Sequence, residues 1–163
     1  MTAQTSRALT DDVAIPMLGF GTFLIPDDET ADAVATAITV GYRHIDTAEV
    51  YQNERGVGEG IRRGLAANGL SREDLFVTTK LWPGSGESTY KSTEVTVAAI
   101  EESLDKLGLD YVDLYLIHAP FNAQQRLSQW RGLVELQKAG KARAIGVSNF
   151  NADHVQELLD AGL

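Results

Sequence analysis

The chain has 163 residues, enough for one domain with a real hydrophobic core. Its composition, 44% hydrophobic and 23% charged, is that of an ordinary globular protein and excludes wholesale disorder. The net charge of -9 argues against a nucleic-acid partner, and the lack of cysteine removes disulfides, a thiol nucleophile and cysteine-ligated zinc.

No apolar run approaches the ~18 residues of a membrane span. Residues 1–7 lack the apolar centre of a signal peptide, so a cytoplasmic location is expected. The net charge does not argue against an anionic cofactor, provided its site is built locally.

In chain order, residues 8–18 predict two short strands around a turn at Asp11 and Asp12. Residues 19–23 (GFGTF) predict a strand entering a glycine-bearing loop. A helix is expected over 29–40, with Ala33, Ala37 and Val40 at helical spacing and Gly41 as its stop. Residues 42–46 predict a strand, and 53–68 a helix ended by Gly69. A strand over 75–79 places Lys80 at its end, and residues 83–91, rich in Pro, Gly and Ser, read as a loop. A long helix over 92–107 closes at Gly108, and a strand over 111–117 has His118 at its end. A helix over 127–139 stops at Gly140, a strand over 142–147 leads into Ser148 and Asn149, and a last helix covers 152–161.

Strand followed by helix recurs five times. The strand ends at Asp46, Lys80, His118 and Ser148 are 34, 38 and 30 residues apart, which suits a strand–helix–strand unit. Such alternation gives a parallel α/β sheet, either doubly wound or a barrel. Two observations favour the barrel. Gly19 and Gly21 follow a strand, but Leu24 stands where a dinucleotide fingerprint needs its third glycine. Gly56, Gly58 and Gly60 fall inside a helix, where they permit close packing. In addition, polar residues gather at the carboxyl ends of several strands, the face that carries the chemistry of a (β/α)8 TIM-type barrel. A full barrel has eight units in ~250 residues. The expectation is therefore one domain over 1–163: an incomplete barrel of about five βα units with an N-terminal hairpin.

Asp46, Tyr51, Lys80 and His118 all fall on or just past a strand's carboxyl end. Residues 41–54 (GYRHIDTAEVYQNE), 79–82 (TKLW) and 146–150 (GVSNF) resemble three signatures of the aldo-keto reductases, and the N-terminal hairpin matches that family too. Within it the chain is most similar to bacterial reductases of the 2,5-diketo-D-gluconate reductase type. The resemblance runs over essentially the whole chain. It implies a barrel that reduces an aldehyde or ketone to an alcohol by hydride transfer from NADPH.

Position by position, the resemblance implies Tyr51 as general acid, Lys80 and Asp46 as the pair that tunes it, and His118 as the residue that orients the carbonyl. It implies Ser148 and Asn149 at the nicotinamide carboxamide and Thr22 and Asp46 near the ribose. It implies Phe23, Trp82 and Phe121 as walls of the substrate pocket. His118 is followed by Ala119, where many relatives carry Trp, so substrate preference does not transfer. The family's further cofactor contacts, a glutamine, a stacking aromatic and a basic loop, have no counterpart in this sequence.

The chemistry supports these roles. Hydride transfer places negative charge on the carbonyl oxygen, and a positioned acid must neutralise it. Tyrosine is a weak acid at neutral pH, and a neighbouring ammonium stabilises its phenolate. An imidazole N–H can fix the direction of the carbonyl. The cofactor carries the hydride, so neither a nucleophile nor a metal is required.

Taken singly, each residue also has an ordinary reading. His44 reads as a barrel-interior residue with its polar atoms bonded, and His154 as solvent-facing. Trp82 could pack a loop, Phe23 and Phe121 could be core, and Ser148 and Asn149 could cap the last helix. One alternative for the whole chain is a catalytically incompetent barrel portion that self-associates through open sheet edges. A remote one is a metal-dependent hydrolase using His44, Asp46, Lys80 and His118.

Overall fold

Strand order follows chain order throughout the sheet. The computed structural model describes residues 5–84 and 91–162. An antiparallel hairpin comes first, of β1 (Ser6–Ala8) and β2 (Ala14–Pro16). The sheet holds β3 (Phe20–Gly21), β4 (His44–Asp46), β5 (Phe76–Leu81), β6 (Val112–Ile117) and β7 (Ala142–Val147), all parallel and in that order. The connecting helices are α1 (Asp27–Thr39), α2 (Glu54–Asn68), α3 (Thr93–Leu107) and α4 (Ala123–Lys138), and α5 (Ala152–Asp160) follows β7.

A doubly wound sheet reverses its strand order at a switch point. This sheet does not. Val34 and Ile38 of α1, Val57 and Ile61 of α2, Ile100 and Leu104 of α3, and Leu133 and Leu136 of α4 share one buried cluster with Ile45, Val77, Tyr115 and Ile117. One face of the sheet thus carries the helices, and each helix packs on the next. That is the winding of a barrel, here over five strands. No helix among the described residues is long and apolar enough to cross a membrane.

The α2 glycines explain how the helices approach so closely. A Cβ on Gly58 would strike the Leu107 carbonyl at the end of α3, and one on Gly60 or Gly64 would strike Val34 or Ile38 of α1. Gly58 and Gly60 pack helix on helix, as expected, as does Gly56 against Thr30 of α1, and Gly64 joins them. Gly69 and Gly108 end α2 and α3 in the left-handed conformation, with φ of 62° and 64°.

Some boundaries differ from the sequence reading. The buried face of α1 is Thr30, Val34, Ala37 and Ile38, while Val40 lies past the helix end and is 68% exposed. β4 begins at His44 because the Tyr42 N–H still bonds the Ala37 carbonyl at 2.9 Å. β5 runs on to Leu81, so Lys80 lies within the strand. α4 starts at Ala123, four residues early, with Gln125, Arg126 and Gln129 on its buried side. Gln129 donates to the Pro83 carbonyl at 3.1 Å and Arg126 to that of Pro120 at 2.8 Å, so polar groups do the packing there. Of the expected loop over 83–91, residues 85–90 lie outside the described residues, as do 1–4 of the segment read against a signal peptide.

The other sheet face holds a smaller cluster at the amino end of the strands. Val13 of the hairpin packs there on Phe76 and Ala144, with Ile15 and Leu114 beside them. Asp113 ties this end together. Its buried carboxylate accepts from Arg72 at 2.7 Å, from Arg143 at 2.8 Å and from the Val77 N–H at 2.9 Å.

Candidate active site

Parallel register and the two-residue period of a strand assemble the opposite end. Asp46 stands beside Thr78, so Lys80, two residues on, shares the face of Asp46 one step further along. The Lys80 ammonium donates to Asp46 Oδ1 at 2.6 Å and to the Thr47 carbonyl at 2.8 Å. Its third partner is the Tyr51 hydroxyl oxygen at 3.4 Å. Lys80 is buried, and these three oxygens use all its donors.

Tyr51 ends a 3-10 turn, Glu49–Tyr51, and Gln52 leaves it with φ of 58°. Asn53 fixes that turn against the first strand–helix loop. Its amide donates to the carbonyls of Thr22 and Ile25, both at 2.9 Å, and its oxygen accepts from Thr47 at 3.3 Å. A chain of aromatic contacts runs from the Tyr51 ring. Tyr51 meets Phe23 at 5.0 Å and His118 at 5.6 Å between ring centroids, and Trp82 meets His118 at 5.8 Å and Phe121 at 5.5 Å.

His118 follows β6, and its N–H donates to the Leu81 carbonyl at 3.0 Å. Burial, helped by the nearby Lys80 charge, lowers its pKa, so the ring is neutral at neutral pH. Its Nδ1 is buried with no hydrogen-bond partner among the described residues. Asn149, in the left-handed conformation at φ of 62°, donates to the His118 carbonyl at 2.7 Å and to Ser148 Oγ at 3.1 Å.

The structure therefore brings together Asp46, Tyr51, Lys80, His118, Phe23, Trp82 and Phe121, and links Ser148 and Asn149 to them through the His118 carbonyl. Phe23 and Phe121 are 62% and 51% exposed and are not core. Thr22 sits at the edge of the constellation with its side chain fully buried, and its hydroxyl donates to Thr47 at 2.9 Å. Capping of α5 belongs to Asn151, which accepts from the His154 N–H at 2.9 Å, rather than to Ser148 or Asn149. His154 is half-buried, not solvent-facing, because its ring closes that capping box and rests on Phe150. His44 is an interior residue, bonded to Thr78 at 3.0 Å and set edge-on to Phe76, and burial lowers its pKa. No three His, Asp or Glu side chains among the described residues are grouped to hold a metal ion.

Three site residues carried no readable signal. Asn53 stands only as the first residue of the helix expected over 53–68, yet it staples the Tyr51 turn to Thr22 and Ile25. Glu49 and Lys91 are paired at 2.7 Å across 42 positions of sequence, a distance no periodicity reports.

The chain is similar to known proteins over nearly its whole length. The family model described as "Aldo/keto reductase family" matches residues 17–163. An uncharacterized oxidoreductase of Bacillus subtilis, YtbE, is 49% identical over 97% of this chain and 55% of its own length. A glyoxal reductase from the same organism is 46% identical over 93% of this chain and 51% of its own length. Among solved structures, a Bombyx mori aldo-keto reductase in complex with NADP superposes with a TM-score of 0.88 at 41% identity, covering 98% of this chain and 55% of that one. The chain spans about half the length of the curated relatives it matches.

Proposed function

The chain belongs to the aldo/keto reductase family, and from that premise we propose that its site reduces an aldehyde or ketone to an alcohol, with hydride from NADPH and a proton from Tyr51. One observation carries the reading: the buried Lys80 ammonium lies between the Asp46 carboxylate and the Tyr51 hydroxyl. When Tyr51 gives up its proton to the carbonyl oxygen, Lys80 stands ready to stabilise the phenolate. Asp46 keeps the buried lysine charged and aimed. Leaving the Nδ1 lone pair of His118 unpaired is less costly than leaving an N–H unpaired there. Nε2 therefore keeps the ring proton and offers it as a hydrogen bond that orients the substrate oxygen. Phe23, Trp82 and Phe121 hold the rest of the substrate.

The residues present suit the nicotinamide end of the cofactor. A carboxamide needs one donor and one acceptor. Ser148 Oγ accepts from Asn149 and keeps its proton to donate, while the amide oxygen of Asn149 can accept. When bound, the cofactor supplies the hydride. The NADP complex of the Bombyx mori relative supports this choice of cofactor, and the glyoxal reductase supports a small, reactive carbonyl as first substrate. Thr22 serves the ribose side as a buried support, bracing the Asn53 staple.

The test is NADPH consumption by the whole chain with glyoxal. Tyr51→Phe should lower turnover at least ~100-fold, the usual contribution of a general acid, while NADPH still quenches the fluorescence of Trp82. Turnover retained by Tyr51→Phe would overturn the assignment.

A further inference from the structure

Glu49 lies on the turn that carries Tyr51, but its hydrogen-bond partners belong to other segments. Its carboxylate accepts from Lys91 at 2.7 Å on each oxygen, and Oε2 also accepts the backbone N–H of Trp82 at 2.9 Å. The side chains of Glu49 and Lys91 are only 26% and 13% exposed, so the pair is poorly screened by solvent. One carboxylate thus joins three segments: the Tyr51 turn, the chain leaving β5, and Lys91 just before α3. The main chain of Trp82 is the part held, and its indole meets both His118 and Phe121.

We propose that the Glu49–Lys91 pair is a positioning device that sets Trp82 against His118, and so determines how tightly the site takes the apolar part of its substrate. The inference rests on the reductase reading for its catalytic consequence but not for its geometry. Glu49 needs both partners. Without Lys91, the carboxylate is free to turn to solvent and the Trp82 N–H loses its acceptor. Without Glu49, a nearly buried ammonium is left unpaired and moves outward. Neither loss touches the Lys80, Asp46 and Tyr51 contacts. The pair should therefore govern substrate affinity rather than the chemical step, because it alters binding common to ground and transition states.

The experiment has two arms on the whole chain. The first uses a Trp130→Phe background, so that Trp82 is the only tryptophan, and needs no activity. Glu49→Ala and Lys91→Ala should each shift Trp82 emission to the red and raise its quenching by acrylamide, while Lys91→Arg should restore the parent signal. Unchanged emission and quenching in both alanine variants would overturn the clamp, whatever the catalytic outcome. The second arm measures reduction of an aromatic aldehyde with NADPH. Each alanine variant should raise KM about fivefold with kcat within about twofold, and the double variant should be no worse than either single one. Additive losses, or losses confined to kcat, would overturn the positioning role. If the parent chain turns over no carbonyl, the reductase reading fails, and the fluorescence arm decides the clamp.

Discussion

A buried ammonium survives only when its protons are taken, and Lys80 meets that condition with three oxygens from two segments. Glu54 is the contrasting residue. It begins α2, is buried, and accepts from Thr79 at 2.7 Å and Ser103 at 3.1 Å with no cation in contact. Burial raises its pKa above the ordinary 4.5, outweighing both hydroxyl bonds. The fold therefore binds a proton at Glu54 more tightly than the unfolded chain does. The stability this gives is whole below pH 4.5 and is lost as pH rises through the folded value. Glu54→Gln removes the titration while keeping the shape. Its melting temperature relative to the parent should climb as pH rises from 4.5 towards neutrality. A difference that stays flat, or falls, would mean Glu54 is ionised in the fold at no cost.

At the scale of elements, the helix–helix contacts decide more than helix propensity does. Alanine at Gly58 would favour α2 by about 1 kcal/mol in isolation. Here its methyl would meet the main chain of Leu107, which cannot rotate aside. Gly58→Ala should therefore destabilise the protein by about 2 kcal/mol net in urea unfolding. Gly58 was legible in the sequence only as a packing glycine; its partner was not. The same divide runs through the elements generally. Glycine stops and apolar periodicity located the five strands and five helices. The start of α4 was hidden because Gln125, Arg126 and Gln129 face inward, and polar packing leaves no apolar stripe to read. At the site, Lys80 and His118 could be placed from the strand pattern, Lys80 one residue before the end of β5 and His118 just past β6, while Tyr51 sits on the turn that follows β4. Asn53, Glu49 and Lys91 were not readable, because their partners depend on three-dimensional neighbours far off in sequence.

The whole molecule is fastened at its two ends by unlike means. At the carboxyl ends of the strands, the Lys80 ammonium gathers Asp46, the Thr47 carbonyl and Tyr51. At the amino ends, Asp113 joins Arg72, Arg143 and the Val77 N–H. Asp113→Ala leaves the Arg72 charge without its carboxylate and a strand N–H without its acceptor, and should cost about 3 kcal/mol in urea or thermal unfolding. Catalytic turnover per folded molecule should be unchanged, because the change lies at the opposite end of the sheet. A loss of turnover exceeding the loss of folded protein would show that the two ends are coupled.

The match between strand order and chain order also sets a timetable for synthesis. Each new strand finds its hydrogen-bonding partner in the one made just before it, so the sheet can grow in the order in which the ribosome releases it. The hairpin is the exception. It precedes every strand of the sheet, yet Val13 rests on Ala144, and the Asp12 carbonyl accepts from Arg143, 131 positions later. The hairpin can meet Phe76 once β5 is made, but it must wait for β7 before its seat is complete.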